Sequence, residues 1–306
     1  VSDQTSASRE PAQASYPRSP VRAPNRFPPI VVVPLDGSIE AKAALPAARL
    51  AARILQGTVH VVQAVDSPLP GGELLRRMNL TPDEAANLVV DQVVGPAVEA
   101  IVRFAEQQHA FLIVMTTRGH TAYRGRTVRP VVERVIRDAC RPVLLVRPEI
   151  VDRAEATTRL RQILLPLDGA PSSAAVIGPA LHLAQESGSD VDILYVAEFA
   201  QPPAEPGSLT TPLYVDQPQY EWPEWAKEFA RRFGTAMGEY PLQLHTRMYL
   251  RRGEPASQIL HFAIEHRDDL IVLEWRGRLD PDHARVVRTV LSAAPCPVLL
   301  IRTTRC

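Results

Sequence analysis

Short runs of valine, isoleucine and leucine, bounded by turn residues, alternate along this chain with stretches whose apolar positions recur every three or four residues. Continuous apolar runs of that length mark strands buried on both faces, and the helix-period stretches between them mark crossover helices. In the N-terminal half the pattern predicts strands near Ile30 to Pro34, Val59 to Val65, Phe111 to Thr116 and Val143 to Arg147. It predicts helices over about Ile39 to Leu55, Pro96 to Gln108 and Val131 to Asp138. In the C-terminal half the strands fall near Ile163 to Pro166, Val191 to Val196, Gln243 to Leu250, Leu270 to Glu274 and Val298 to Arg302, with helices near Ser172 to Ser187, Glu224 to Met237, Pro255 to His266 and Ala284 to Ala293. The fold class is therefore α/β, a mainly parallel sheet covered by helices on both faces.

The two halves repeat one another. IVVVPLDGS at Ile30 to Ser38 returns as ILLPLDGA at Ile163 to Ala170, which sets Asp36 opposite Asp168. LIVMTTRG at Leu112 to Gly119 returns as LIVLEWRG at Leu270 to Gly277, and RPVLLVR at Arg141 to Arg147 returns as CPVLLIR at Cys296 to Arg302. Three matches in the same order imply a duplicated domain. The second copy has a longer middle, coinciding with Trp222 to Leu250, where the first has only Leu74 to Val94, so the first copy is expected to shorten or lack one strand. The halves divide into a Pro/Ser/Arg-rich tail at 1–29, expected to be disordered for want of apolar residues, a first domain at 30–148, a polar linker at 149–161 and a second domain at 162–306.

Composition narrows the partners. Lys plus Arg and Asp plus Glu number 34 each, so no overall field draws in nucleic acid or an anionic membrane. No apolar run approaches a membrane span and the N-terminus has no secretory apolar core, which makes a cytoplasmic protein the expectation. Cys140, Cys296 and Cys306 form no CxxC pair and read as two small core residues and a C-terminal thiol. Lys42 and Lys227 are the only lysines, which removes the GxxxxGK phosphate loop and the protein-kinase lysine. The eight histidines, His120 and His283 among them, lack HxxxH and HxH spacing, and there is no GxSxG elbow, so neither a metal site nor a hydrolase is indicated. Trp222, Trp225 and Phe229 share one helical face, a pattern usual for a core.

Ligands of open parallel sheets sit outside the carboxyl ends of the strands, where strand order reverses. Both Pro-Leu-Asp-Gly turns occupy such an end. Asp36 and Asp168 have two readings there: acceptors for ribose hydroxyls or a purine amino group, or N-caps of the helices that follow.

The IVVVPLDGS opening, the LIVMTTRG strand end and the VxERVIRDACRPVLLVR close resemble the universal stress protein family, present here as a tandem pair. The resemblance implies two copies of an open, five-stranded, adenine nucleotide alpha hydrolase-like sheet. It also implies that the last strands of the copies pair antiparallel as a pseudo-dimer within the chain, and that two chains associate as a homodimer. ATP-binding members carry G-x2-G-x9-G-[ST] after the fourth strand. In the first copy Thr116 replaces the first glycine, Gly119 keeps the second, and Arg129-Pro130 stands in place of the closing Gly-Ser/Thr. Arg118, Arg124, Arg126 and Arg129 either supply forked phosphate donors or form a solvated basic loop. The candidate residues of the first copy are Pro34, Asp36, Val65, Met115, Thr116, Arg118, Gly119, Arg129, Pro130 and Val131.

In the second copy Pro166, Asp168, Val196, Glu274, Gly277, Ala284 and Arg285 stand at the matching places. A carboxylate at the first glycine position repels phosphate, so this site reads as degenerate. The expectation is a non-enzymatic stress-response module, with AMP or ATP (and Mg²⁺ if ATP) confined to the first domain. A weak ATPase would need a metal carboxylate and an activated water that the sequence does not offer. The alternative is an interaction scaffold that binds no nucleotide and works through its dimer surfaces.

Overall fold

Valine and leucine runs with no exposed position build the centre of the sheet. The computed structural model describes residues 28–117, 130–150, 159–167, 173–197, 245–277 and 281–303. The first domain has β1 (Ile30–Pro34), β2 (Thr58–Val65), β3 (Val89–Val94), β4 (Leu112–Thr116) and β5 (Val143–Val146). Its helices are α1 (Ile39–Lys42), α2 (Leu45–Ile54), α3 (Gly71–Arg77), α4 (Pro82–Ala85), α5 (Ala97–Gln107) and α6 (Pro130–Asp138). The second domain has β6 (Gln162–Leu167), β7 (Asp190–Ala197), β8 (Thr246–Arg252), β9 (Leu270–Trp275) and β10 (Val298–Arg302), with α7 (Ile177–Ser187), α8 (Pro255–Glu265) and α9 (Pro281–Ala293).

The order across the sheet is β3-β2-β1-β4-β5-β10-β9-β6-β7-β8. Every pairing within a domain is parallel, and the single antiparallel pairing joins β5 to β10, with Leu145 opposite Val298 and Val143 opposite Leu300. One continuous sheet of ten strands results. Each face carries an apolar layer that runs through both domains: Val31, Val33, Leu144, Ile163 and Leu299 lie on one, and Val32, Ile113, Leu145, Leu164 and Leu300 on the other. Since a fully buried Val or Leu side chain contributes roughly 1.5–3 kcal/mol, the layers bind the halves together as well as each half to its helices.

Arginines close the seam reciprocally. Arg147 Nη1 donates to the Ala294 carbonyl (3.0 Å) just past α9. Arg302 Nη1 donates to the carbonyls of Arg137 (2.9 Å) and Ala139 (3.2 Å) at the end of α6. Cations at helix C-termini satisfy terminal carbonyls and oppose the helix dipole. Trp275 Nε1 adds a bond to the Ile136 carbonyl at 2.9 Å.

Three expectations need refinement or correction. The first copy shortens its strand but does not lack it: β3, six residues against seven in β8, pairs with β2 over His60↔Val89 to Val65↔Val94. Polar residues in its middle hid it, because Asp91 meets His60 Nδ1 at 2.9 Å and Gln92 clamps the Leu69 backbone at 2.7 and 2.9 Å. The helix expected over Ile39 to Leu55 is broken at Ala43 and Ala44, since Pro46 near the start of α2 cannot continue an earlier helix. Cys140 is disulfide-bonded and not simply a small core residue, whereas Cys296 is buried as expected. Sequence spacing does not reveal which loops meet. The helix expected at Glu224 to Met237, with Trp222, Trp225 and Phe229, lies outside the described residues, as do Cys306 and nearly all of the N-terminal tail.

Candidate functional site

Strand order reverses between β1 and β4, which places the carboxyl ends of these strands at the switch point of the first domain. The Pro34-Leu35-Asp36-Gly37 turn leaves β1 there. Leu35 N–H still bonds the Val62 carbonyl (2.9 Å), so the chain turns only at Asp36. Gly37 has φ +84°, and a Cβ on it would lie 2.3 Å from the Arg77 carbonyl at the end of α3. Glycine is required twice over, for the left-handed backbone and for the approach of α3.

The turn settles how Asp36 acts locally. Ser38, 3% exposed, is the N-cap of α1, and its Oγ accepts from Ala41 N–H at 3.1 Å. Asp36 Oδ1 in turn accepts from the N–H and hydroxyl of Ser38. The capping reading of Asp36 is thus corrected: the serine caps, and the aspartate orients it while remaining exposed at the rim. Beside it Ile39 is 78% exposed, an unusual apolar surface at the mouth of a turn.

The other described candidates of the first domain surround this rim from within. Pro34 closes β1 opposite Val62. Val65 is buried at the end of β2, with its carbonyl accepting from Gly95 N–H (3.0 Å). Met115 and Thr116 are buried at the end of β4, followed by the buried Thr117, whose N–H bonds the Val146 carbonyl at 2.9 Å. Pro130 is exposed at the start of α6 and Val131 packs partly against the core. Arg118, Gly119, Arg124, Arg126 and Arg129, the expected phosphate side, lie outside the described residues, as does His120.

Gln63 went unnoticed in the sequence. It is 5% exposed on β2, two residues before Val65, and its Oε1 is buried with no hydrogen-bond partner. A bare buried acceptor is costly unless an N–H donor reaches it. The signal was a glutamine inside an otherwise apolar VVQAV run. Asp36 thus offers an exposed acceptor, Ile39 an exposed apolar surface and Gln63 a buried acceptor on the neighbouring strand. Among the described residues no cluster of His, Cys, Asp and Glu is arranged to hold a metal ion.

The matching end of the second domain is built differently. Glu274, 4% exposed, accepts from Arg276 Nε and Nη2 at 3.1 and 3.2 Å and from Thr303 Oγ1 at 2.7 Å. A bidentate guanidinium occupies the carboxylate that stands at the first glycine position. Gly277 keeps a positive φ of +69°, but a Cβ there would meet the Arg302 guanidinium at 2.7 Å. That glycine therefore makes room for the arginine that caps α6. Ala284 is buried, and Arg285 is exposed. Burial opposes the charge of Glu254, yet hydrogen bonds from Ser257 and Ala256 and the charge of Arg285 hold its carboxyl below the usual range. Pro166 and Val196 are buried in the strands, and Asp168 lies outside the described residues.

Comparison with known proteins agrees with this duplicated arrangement. The pattern of the universal stress protein family matches residues 29–147 and 159–302. A universal stress protein of Methanocaldococcus jannaschii is 29% identical over 150 residues, covering 46% of this chain and 82% of its own length. The universal stress protein YxiE of Bacillus subtilis is 30% identical over 149 residues, covering 46% of this chain and 98% of its own. A crystal structure of a universal stress protein from Archaeoglobus fulgidus superimposes with a TM-score of 0.62 at 15% identity, covering 90% of this chain and 98% of that one.

Proposed function

This chain belongs to the universal stress protein family, with the family's domain present twice, and on that premise we propose that its first domain binds AMP or ATP while its second has given up its site to internal ion pairs. The observation that carries the reading is the contrast between the two ends of the sheet. In the first domain an exposed aspartate and an exposed isoleucine follow the carboxyl end of β1, and a buried, partnerless glutamine oxygen lies on the neighbouring β2. In the second, Glu274 is consumed by Arg276 and Thr303, and Gly277 lies under Arg302.

In the first domain Asp36 accepts from ribose hydroxyls, Gln63 Oε1 accepts from the purine amino group and Ile39 lies against the base. The role is regulatory, not catalytic: occupancy reports nucleotide supply to whatever the stress-response module contacts. If ATP is the ligand, Mg²⁺ would supply neutralisation of its phosphates, and Asp36, Ile39 and Gln63 would hold only the nucleoside.

Mass spectrometry of nucleotide released from denatured purified protein, followed by calorimetric titration with AMP and Mg-ATP, tests this. Asp36→Ala is expected to weaken binding at least tenfold and Asp168→Ala to leave it unchanged. Binding that survives Asp36→Ala but disappears with Asp168→Ala would reverse the assignment. A chain that neither carries nor binds adenine nucleotide would favour the scaffold reading instead.

A further inference from the structure

Two carboxylates are buried at the base of the second domain, one on β7 and one just before β9. Asp192, the third residue of β7, and Asp268, two residues before β9, are both 0% exposed. Asp192 Oδ1 accepts from Arg247 Nε of β8 at 2.8 Å, and Oδ2 lies 3.3 Å from His266 Nδ1 without a hydrogen bond. Neither oxygen of Asp268 has a hydrogen-bond partner. Gln162 also keeps a buried, unbonded Nε2, while its Oε1 accepts from Arg247 Nη2 at 3.0 Å.

The surrounding charges do not fill this deficit. Asp269 Oδ2 is taken by the N–H groups of Arg161 and Gln162 at 2.9 and 3.2 Å. His266 stacks on Phe262 with centroids 3.8 Å apart and meets Tyr249 edge-on. Arg251 is engaged by Glu265. Asp190 of β7 adds a further negative charge near Arg247. Arg247 is thus the main fixed cation here and is bound to Asp192, and a buried carboxylate without a hydrogen bond of its own does not readily stay ionised.

The first domain supplies the control. Aligned on their Leu-Ile-Val runs, the copies set Ala110 opposite Asp268. The backbone closes alike in both: Ala110 N–H bonds the Ala105 carbonyl at 2.8 Å, and Asp268 N–H bonds the Ala263 carbonyl at 3.0 Å. The preceding residues, His109 and Arg267, have φ of 49° and 56°. The turn needs no carboxylate, and a small apolar side chain serves it.

We propose that Asp268 is a neutral acid at neutral pH, so that this corner is an alkali-sensitive joint between α8, β7 and the edge strand β8. One proton removes the charge of a carboxylate that has left water and that no N–H or O–H group meets. In agreement, burial first, and then the charges of Asp192 and Asp269, push the Asp268 carboxyl up to about 8, against the opposing pull of Arg247.

The sign follows from the direction. The folded value lies above the ordinary 3.8, so the folded chain keeps a proton that the unfolded chain has released. Stability then falls as pH rises from about 4 to about 8, with the unfolding constant growing roughly tenfold per pH unit, and levels off above that window. Past it Asp268 carries a buried negative charge that no hydrogen-bond donor meets.

Urea unfolding of the full chain across this window, for wild type, Asp268→Asn and Asp268→Ala, tests the proposal. Both variants are expected to lose the tenfold-per-unit slope and to exceed wild type in stability at the alkaline end. Parallel profiles for all three would overturn it. Should the variants fail to fold, infrared spectra of wild type decide: a carboxylic acid C=O band that persists at neutral pH and vanishes in mild alkali supports a neutral Asp268, and its absence at neutral pH refutes it. The result is independent of nucleotide binding, because the joint lies in the second domain and the proposed nucleotide site in the first.

Discussion

Replacing Arg276 by alanine would expose what closes the second domain's site. Glu274 is 4% exposed, and its two oxygens take Nε and Nη2 of Arg276 at 3.1 and 3.2 Å. Removing one partner of a buried ion pair typically costs about 3–5 kcal/mol, because the remaining charge has left water without compensation. The Arg276 side chain is 29% exposed, so water can partly replace it, and Thr303 Oγ1 still donates at 2.7 Å. The expected loss is therefore about 2–3 kcal/mol. Urea unfolding followed by the fluorescence of the adjacent, buried Trp275 would measure it. A double-mutant cycle with Glu274→Gln isolates the ionic part: the double variant should recover at least ~1 kcal/mol of the loss, since a neutral amide needs no counterion. If Arg276→Ala stays within about 0.5 kcal/mol of wild type, Glu274 is hydrated in solution and the ion-pair account of the closed site is wrong.

Two further expectations concern how the elements are held. Arg147→Ala and Arg302→Ala each remove a cap across the domain seam and should cost about 1–2 kcal/mol in urea unfolding, the larger loss belonging to Arg302 with its two carbonyl partners. Unfolding should remain a single transition because both apolar layers run through both domains; two separated transitions in wild type would contradict that continuity. In the first domain, hydrogen bonds from Lys42 and then from the Thr81 N–H hold Glu84 down from 4.5 to about 2. Its contribution is present above pH 4.5 and lost as pH falls toward 2, and with the side chain 36% exposed it amounts to less than about 1 kcal/mol. Lys42→Met should flatten this acid limb, and an unchanged slope would discount the pair.

Some of the candidate site was legible in the chain and some was not, for identifiable reasons. The Pro-Leu-Asp-Gly turn announced itself because only glycine tolerates the backbone of residue 37, and the duplicated motif put the turn at the end of a strand in each copy. The division of labour between Asp36 and Ser38 did not, since either residue type caps a helix and only geometry tells which one does. Gln63 was passed over because a single polar residue in an apolar run carries no sign of whether a partner will meet it.

The sequence by itself determined the doubled α/β fold and its family, because unbroken apolar runs and repeated turns follow from local burial and backbone constraints that each segment meets alone. Only the tertiary structure decided that β3 completes the first sheet, that Arg147 and Arg302 cap each other's domains, and that Asp192 and Asp268 are both taken out of water. Those outcomes depend on pairing residues distant in the chain, where charge, burial and partner choice are fixed by which surfaces meet and not by the residues next door.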